Sequence, residues 1–202
     1  MPLQEIVQLK RPENEEMKAA FLLAIHCAPI LRGSKAANIV TVTQEEFFRV
    51  CHLLEGTEIC CRFFKTKGEM GISYLYREKE IGEYLHTEKI QSFLNGYGYQ
   101  NSSTSDMLEQ LAERISMYNH GKIVFPHEIG IFLEYPLHDV KGFLANNGRN
   151  YAYSGYWKVY QELEGALQTF KRYDEDRDYV IRAVMSGRTI REIVIVDSEK
   201  SI

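Results

Sequence analysis

A predicted β-hairpin restricts the folds that are open to this chain. Residues 58–64 and 72–77 are rich in β-branched and aromatic side chains, and they flank the polar turn KTKGEMG, which contains two glycines. Segments with helical periodicity precede and follow this hairpin. The arrangement predicts an α+β domain, in which helices pack around a small, mainly antiparallel sheet.

Periodicity and capping signals predict the other elements. Residues 37–43 indicate a buried strand, and Thr43 with Glu46 indicates a capping box at the start of the next helix. Residues 151–160 alternate as a strand does, and residues 190–196 indicate either a strand or a terminal helix. Further helices are predicted over residues 14–28, 78–85, 87–95, 104–120, 161–173 and 175–186, with Pro29 and Gly33 ending the first and Pro126 beginning a short one.

Length and charge exclude several classes of protein. A chain of 202 residues suits a single domain over residues 1–202. The net charge is −4 and the basic residues are scattered, so we expect no binding to nucleic acid or to acidic membranes. No apolar run approaches the roughly 18 residues of a membrane span. The first residues also lack a signal-peptide core, so a cytoplasmic location is expected.

The four cysteines form no paired metal or redox motif. They are Cys27, Cys51, Cys60 and Cys61, and none belongs to a CxxC pair. A zinc knuckle or a thioredoxin-like site is therefore not expected. We expect the thiols to stay reduced, and all except Cys27 to act as small apolar core residues.

The segment 125–160 concentrates ionisable and aromatic groups beyond what a core requires. His127 and Glu128 follow Pro126, where the positive end of the predicted helix could bind an anion. His127 would then donate a hydrogen bond or carry a proton, and Glu128 would orient the ligand or accept a proton. Alternatively, Glu128 only complements the helix dipole and His127 bonds to a neighbouring loop. The sequence HEIGIF lacks the second histidine of HExxH, so a zinc protease is not expected.

The aromatic run at the end of this segment contains the only tryptophan of the chain. Tyr156, Trp157 and Lys158 could form one wall of a site and stack a planar ligand such as a flavin or a base. Strand alternation would place Tyr153 and Trp157 on one face, with Tyr156 and Lys158 on the other. Aromatic strands also build ordinary cores, and the GxGxxG fingerprint of dinucleotide-binding folds is absent.

A second cluster precedes the first predicted strand and contains His26, Cys27, Lys35 and Asn38. A thiol beside a basic group can have a lowered pKa, so Cys27 is a candidate nucleophile. Adjacent helical residues diverge by roughly 100°, so His127 would activate Cys27 better than His26 would. Lys35 could hold an anionic group, although the P-loop pattern is absent. The alternatives are a packed thiol and a solvated turn with a surface lysine.

Some of these side chains are also possible metal ligands. Histidine, thiolate and carboxylate groups suit zinc or iron. The spacing does not require a metal, so neither a metal nor a cofactor is assigned. The residues concerned are His26, Cys27, His127, Glu128 and His138.

Four short motifs carry a resemblance to a known family. They are HCAPIL at 26–31 with Lys35 and Asn38, PHE at 126–128, Leu-x-Tyr-Pro at 133–136, and GYWKVY at 155–160. In this order the chain resembles an uncharacterised bacterial family, frequent in anaerobic Gram-positive bacteria and marked by PHE and LGYP motifs. The family implies no activity. Glu134 stands where its LGYP motif has glycine, so a close approach of ligand or backbone at that position is not implied.

Two functions are compatible with these features. The first is a cytoplasmic protein that binds a small anionic or planar ligand, as a binding protein or an enzyme, between residues 26–38 and 126–160. The second is a non-catalytic interaction protein, such as an accessory to a redox partner. The first predicts that Cys27, Lys35, His127 and Glu128 converge on one pocket. The second predicts an exposed aromatic patch, with the polar groups paired locally.

Overall fold

In a computed structural model that describes residues 14–99 and 102–198, helices surround two small antiparallel sheets, and the α+β prediction is confirmed. The strands are β1 (Ala37–Thr43), β2 (Ile59–Lys65), β3 (Met70–Arg77), β4 (Tyr153–Ser154) and β5 (Lys158–Val159). The helices are α1 (Glu15–His26), α2 (Ala28–Leu31), α3 (Gln44–Leu54), α4 (Glu78–Leu85), α5 (Glu88–Asn95), α6 (Thr104–Asn119), α7 (Ile129–Phe132), α8 (Leu137–Ala145), α9 (Leu163–Met185) and α10 (Ile190–Ser198). None of the helices in the described ranges has the length and apolar character needed to cross a bilayer.

The main sheet has the strand order β1-β3-β2, and both pairings are antiparallel. Ser73 of the central strand β3 lies opposite Val40 on one side and Phe63 on the other. The predicted hairpin is therefore confirmed, with a turn shorter than KTKGEMG because each strand extends into the glycine-containing segment. Gly68 in that turn has φ 76°, a left-handed conformation that glycine adopts without strain.

The two faces of this sheet contribute to two separate apolar clusters. Successive strand residues point to opposite faces, so Leu75 joins one cluster and Tyr74 joins the other. The first cluster also contains buried residues of α1, α2, α3, α9 and α10. The second contains residues of α4 to α8, and a third, smaller cluster joins the β4–β5 hairpin to α9. The candidate site lies where the second and third clusters meet.

The capping signals and the helices that they start are confirmed. Thr43 Oγ1 accepts a hydrogen bond from the Glu46 amide at 3.2 Å, and Glu46 Oε2 accepts one from the Thr43 amide at 2.7 Å. These reciprocal bonds satisfy two of the amide groups that a helix start leaves without partners. They fix α3 directly after the edge strand β1.

Two predicted helix boundaries are wrong. Pro29 does not end α1 but occupies the first turn of the separate helix α2, where its missing N–H costs no hydrogen bond. The predicted break between residues 173 and 175 is absent, because α9 runs continuously through it. Asp174 at this point makes an ion pair of 2.9 Å with Arg177, so its carboxylate is paired along the helix surface.

The single strand predicted for residues 151–160 is also wrong. The segment folds back on itself as the β4–β5 hairpin, in which Tyr153 pairs with Val159 and the Gly155 amide donates to the Trp157 carbonyl at 3.0 Å. Because the chain reverses its direction here, Tyr153 and Trp157 do not share one face as predicted. Tyr153 is exposed, whereas Trp157 is buried. The choice left open for residues 190–196 is settled as a helix, α10.

Candidate functional site

A cleft of about 340 Å³ opens between helices α7 and α8 and the β4–β5 hairpin, and we call it the aromatic cleft. It contains three of the predicted site residues, His127, Trp157 and Lys158. Its volume falls at the lower end of the range for small-molecule sites. The lining residues are His127, Ile129, Gly130, Tyr135, Asp139, Val140, Phe143, Ser154, Gly155, Trp157 and Lys158.

Asp139 fixes the hairpin wall of this cleft. Its carboxylate is 2% exposed and accepts hydrogen bonds from Trp157 Nε1 at 2.7 Å, the Tyr160 amide at 2.7 Å and the Gln161 amide at 3.1 Å. A buried carboxylate is stabilised by several donors of this kind. The sequence analysis missed Asp139, because an acid in the first turn of a helix after a proline is also typical of simple dipole pairing.

His127 lies on the opposite side of the cleft, between two phenylalanine rings. Its imidazole centroid is 5.1 Å from that of Phe125 and 4.9 Å from that of Phe143. Burial lowers the pKa of His127, and the nearby Glu128 charge opposes this shift. The imidazole is therefore neutral at pH 7, with one nitrogen donating and the other accepting.

The helix predicted to begin at Pro126 begins three residues later. Helix α7 has only the four residues Ile129–Phe132, and the preceding tripeptide forms a turn in which the Ile129 amide donates to the Pro126 carbonyl at 3.0 Å. The helix start on which the expected anion site beside His127 depended is therefore displaced to Ile129. A single turn aligns too few peptide dipoles to produce a substantial positive end.

Glu128 is directed away from the cleft towards helix α6. Its buried carboxylate forms an ion pair with Arg114 and accepts a hydrogen bond from the Tyr99 hydroxyl at 3.3 Å. Both partners act on the same oxygen atom, Oε1. Glu128 thus links α6 to the turn before α7, a role that neither alternative of the sequence analysis included.

Cys27, His26 and Asn38 lie outside the lining of the aromatic cleft. Cys27 is fully buried in the first cluster, and burial raises the pKa of its thiol to about 12 although Lys35 opposes the shift. The expectation of a lowered thiol pKa is therefore wrong, because desolvation exceeds the attraction of the neighbouring amine. His26 is exposed, and its carbonyl accepts a hydrogen bond from Asn38 Nδ2 at 2.8 Å.

Lys35 is enclosed by aromatic rings instead of forming a solvated turn. Its Nζ lies 4.9 Å from the ring centroid of Tyr135 and 6.0 Å from that of Tyr173. Burial lowers the pKa of Lys35 to about 8, while the carboxylate of Glu134 and the thiol of Cys27 act in the opposite direction. The amine therefore lies near Cys27 of its own sequence cluster and near Glu134 of the segment 125–160. Lys35 does not line the aromatic cleft.

Glu134 adopts the backbone conformation that a glycine would take without strain. Its φ is 59°, in the left-handed region that non-glycine residues rarely occupy. Its Oε2 accepts a hydrogen bond from the Ala36 amide at 2.7 Å, which joins the segment before α8 to the start of β1.

The residues Tyr156, Trp157 and Lys158 do not form one wall. Tyr156 faces helix α9, where its hydroxyl donates to Asp174 Oδ1 at 3.0 Å. Lys158 lines the aromatic cleft, and its Nζ donates to the Gly148 carbonyl at 2.6 Å and lies 5.5 Å from the centroid of the Phe143 ring. The side chains of Tyr156 and Lys158 point in different directions because of the tight turn of the hairpin, and not because of strand alternation.

A second cleft of about 370 Å³ lies on the other side of Trp157, and we call it the polar cleft. The two clefts share Asp139 and Trp157 in their linings. Among the described residues, no three His, Cys, Asp or Glu side chains are grouped so as to hold a metal ion. The lining residues of the polar cleft are Ser34, Glu134, Pro136, His138, Asp139, Trp157, Gln161, Glu162, Gly165, Ala166, Thr169, Arg172 and Tyr173.

The sequence matches a known protein family whose function is not established. A family model described as a protein of unknown function, DUF3793, matches residues 23–194. The chain belongs to this family. The matched range contains every residue that lines the two clefts of this DUF3793 protein. Neither the curated proteins nor the solved structures contain a match to it.

Proposed function

We propose that the aromatic cleft binds a small molecule that has a planar ring and an anionic group. The observation that carries this proposal is the presence of aromatic side chains and one ammonium group in the same cleft. Tyr135, Phe143 and Trp157 provide ring surfaces, and Lys158 provides the positive charge. Clefts that are mainly apolar with a few placed polar groups are typical of small-molecule sites.

The chemistry of these groups supports this ligand class. Stacking on aromatic faces favours planar rings through surface burial and quadrupole interactions. An ammonium group has three donors, and the Gly148 carbonyl accepts from one of those of Lys158, so the others remain for an anionic oxygen. His127, neutral at pH 7, supplies a further donor or acceptor at the opposite wall.

The role is binding rather than Cys27-dependent catalysis. The Cys27 thiol lies in an apolar cluster with a pKa raised to about 12, and Glu128 is held by Arg114 and Tyr99. His127 is the one of the three proposed catalytic residues that lines the cleft, so any proton transfer would use its imidazole. We further propose a cytoplasmic location. The net charge of −4 supports the proposal that the protein binds neither nucleic acid nor acidic membranes.

Thermal unfolding with matched ligands tests the proposal. Adenosine 5′-monophosphate and flavin mononucleotide are planar anions, and adenosine and riboflavin carry the same rings without the phosphate. A ligand that binds only the folded state raises its stability by about 2.7 kcal/mol at a hundredfold excess over Kd. We expect the phosphorylated ligands to raise the melting temperature more than the uncharged ones, and Lys158→Met to remove that difference.

Two tryptophan substitutions locate the bound ligand. Ser154 is exposed and lines the cleft, so Ser154→Trp should fill it and abolish the shift. Ala152 is exposed on the same hairpin outside that lining, so Ala152→Trp should leave the shift unchanged. Equal shifts in both variants, or none with any planar anion, would refute the proposal.

A protein-binding role is the second candidate, and exposed apolar side chains favour it. Leu163 and Leu167 lie one turn apart on α9 and are both exposed, and the exposed Tyr153 packs with its ring centroid 6.1 Å from that of Phe170 on the same helix. Exposed apolar groups that cluster in this way often mark interfaces. Leu167→Glu should then weaken association with a partner, such as a redox protein, without changing the ligand-induced melting shift.

A further inference from the structure

Helix α3 and strand β2 are consecutive in the chain and pack against each other in opposite directions. The Thr57 hydroxyl fixes their short connection, because it donates to the Leu54 carbonyl at 2.7 Å and accepts from the Ile59 amide at 3.3 Å. Further from this connection, the ring centroids of Phe47 on α3 and Phe63 on β2 lie 5.1 Å apart. The helix therefore follows the strand from the connection to these two rings.

This packing brings the side chains of Cys51 and Cys61 together. Cys51 follows Phe47 by four helical residues, which is about 6 Å along α3. Cys61 precedes Phe63 by two strand residues, which is about 6.6 Å along β2 on the same face of the sheet. Because α3 and β2 run in opposite directions, both steps lead from the stacked rings towards the connection and end side by side. The Cys61 thiol accordingly donates a hydrogen bond to the Cys51 sulfur.

Cys60 is adjacent to Cys61 in the chain but points to the opposite face of the sheet, because side chains alternate along a strand. Cys61 packs against the first apolar cluster, on the side of α3. Cys60 instead interacts with Tyr76, which packs against the second cluster. Cys60 and Cys61 lie nine and ten positions after Cys51, so the fold and not the chain length decides which of them meets it.

Both thiols of this pair can be reached from solvent. Cys51 and Cys61 are partly exposed, whereas Cys27 is fully buried. Burial raises the pKa of both thiols, and the hydrogen bond from Cys61 opposes this shift at Cys51. Neither thiol is therefore activated on its own, and a reaction between them depends on their proximity. Cys51 is the better first nucleophile, because its thiolate is the one that accepts the hydrogen bond.

We propose that Cys51 and Cys61 are a redox-sensitive pair that forms a reversible disulfide when a low-molecular-weight disulfide acts as the oxidant. The Cys51 thiolate attacks one sulfur of the oxidant, which gives a mixed disulfide and releases one thiolate. The Cys61 sulfur, after loss of its proton, then attacks Cys51 Sγ and displaces the second thiolate. The two cysteine protons pass to the released thiolates, so two cysteine thiols are oxidised and the oxidant is reduced to two thiols. This inference does not depend on ligand binding in the aromatic cleft.

Oxidation of the folded protein with glutathione disulfide, followed by blocking of free thiols with N-ethylmaleimide, tests the proposal. Glu55 and Glu58 lie between Cys51 and the two adjacent cysteines, so a protease that cleaves after glutamate separates the peptides unless a disulfide links them. The matched variants Cys60→Ala and Cys61→Ala each leave Cys51 one neighbouring partner. We expect the linked peptides, measured by mass spectrometry, to form at least about tenfold faster in Cys60→Ala, because a disulfide requires two Cβ atoms that face each other. Cys61→Ala should stop at the mixed disulfide with glutathione.

Urea-unfolded protein provides the reference for chain length alone. There the two variants should form linked peptides at similar rates, because loops of nearly equal length close with nearly equal entropy. Equal rates in the two folded variants would overturn the proposal. A folded wild type or Cys60→Ala protein that stops at the mixed disulfide, or that links Cys61 to Cys27, would overturn it as well. Neither Cys51 nor Cys61 lines the aromatic cleft, so this proposal and the ligand proposal can fail separately.

Discussion

Trp157 Nε1 donates a hydrogen bond of 2.7 Å to the buried Oδ2 of Asp139, and both residues line both clefts. This bond joins helix α8 to the β4–β5 hairpin. It places the indole ring between the clefts, with its centroid 5.5 Å from that of Tyr135 and 4.5 Å from that of Phe170. The shape of the candidate site therefore depends on one carboxylate.

Removal of this carboxylate should destabilise the fold and alter the site. Asp139→Ala leaves the Trp157 indole and the amides of Tyr160 and Gln161 without their acceptor, which should cost about 3 kcal/mol. Asp139→Asn keeps one acceptor oxygen and should cost less. Urea unfolding followed by the fluorescence of Trp157, the only tryptophan, measures both changes. A loss in Asp139→Ala no larger than in Asp174→Ala, whose carboxylate is more exposed, would contradict this role.

The stability difference between the wild type and Lys35→Met should depend on pH. The pKa of Lys35 is about 8 in the folded state, below its ordinary value of 10.5, because burial disfavours the charge. Below pH 8 the amine is protonated in both states, and the wild type bears the full penalty. Between pH 8 and 10.5 the unfolded state binds more protons, so the stability of the wild type rises with pH.

Chemical denaturation at several pH values measures this effect. Lys35→Met should be the more stable protein at pH 7, and its advantage should shrink by up to about 3 kcal/mol as the pH approaches 10.5. Other groups titrate in both proteins, so their effects largely cancel in the difference. A difference that stays constant from pH 7 to 10.5 would show that the folded environment does not perturb the amine.

The Cys27 thiol should be inert in the native protein. It is fully buried and its pKa is raised to about 12 by that burial, whereas Cys60 is partly exposed. Iodoacetamide at pH 8 should therefore alkylate Cys60 well before Cys27, as measured by peptide mass spectrometry. Alkylation of both thiols at the same rate, under conditions where the protein remains folded, would revive the nucleophile hypothesis for Cys27.

Substitutions at Glu134 should separate its backbone strain from its side-chain contacts. Glu134→Ala and Glu134→Gly both remove the acceptor of the Ala36 amide, so both should be destabilising. Glycine tolerates the left-handed φ of 59°, so Glu134→Gly should remain more stable than Glu134→Ala by about 1 kcal/mol. Thermal or urea unfolding of the two variants gives the comparison, and an alanine variant as stable as the glycine one would argue against strain here.

Local signals in the sequence were sufficient for most of the scaffold. The capping box at Thr43 and the β2–β3 hairpin were predicted because the groups that specify them are close in the chain. Prediction was wrong where a local signal had two meanings. Pro29 can end one helix or begin another, and the residues around Gly155 can extend a strand or reverse it.

The candidate site was predicted in part, because several of its contacts join distant segments. His127, Trp157 and Lys158 were recognised by residue type, and they share a cleft. Asp139 was missed, because only the folded hairpin brings the Trp157 indole to its carboxylate. Of Cys27, Lys35, His127 and Glu128, His127 alone lines one of the two clefts. Lys35 lies beside Cys27, and Glu128 is paired with Arg114.

The sequence by itself determined most of the secondary-structure types and the α+β class, since helix caps, turns and apolar periodicity act between residues a few positions apart. Tertiary structure alone decided which polar groups are buried and which surround a cleft. Lys35 has the sequence context of a surface loop, but the aromatic rings of Tyr135 and Tyr173, about a hundred and more positions away, desolvate its amine. Ionisation follows the local environment, and packing between distant segments creates that environment.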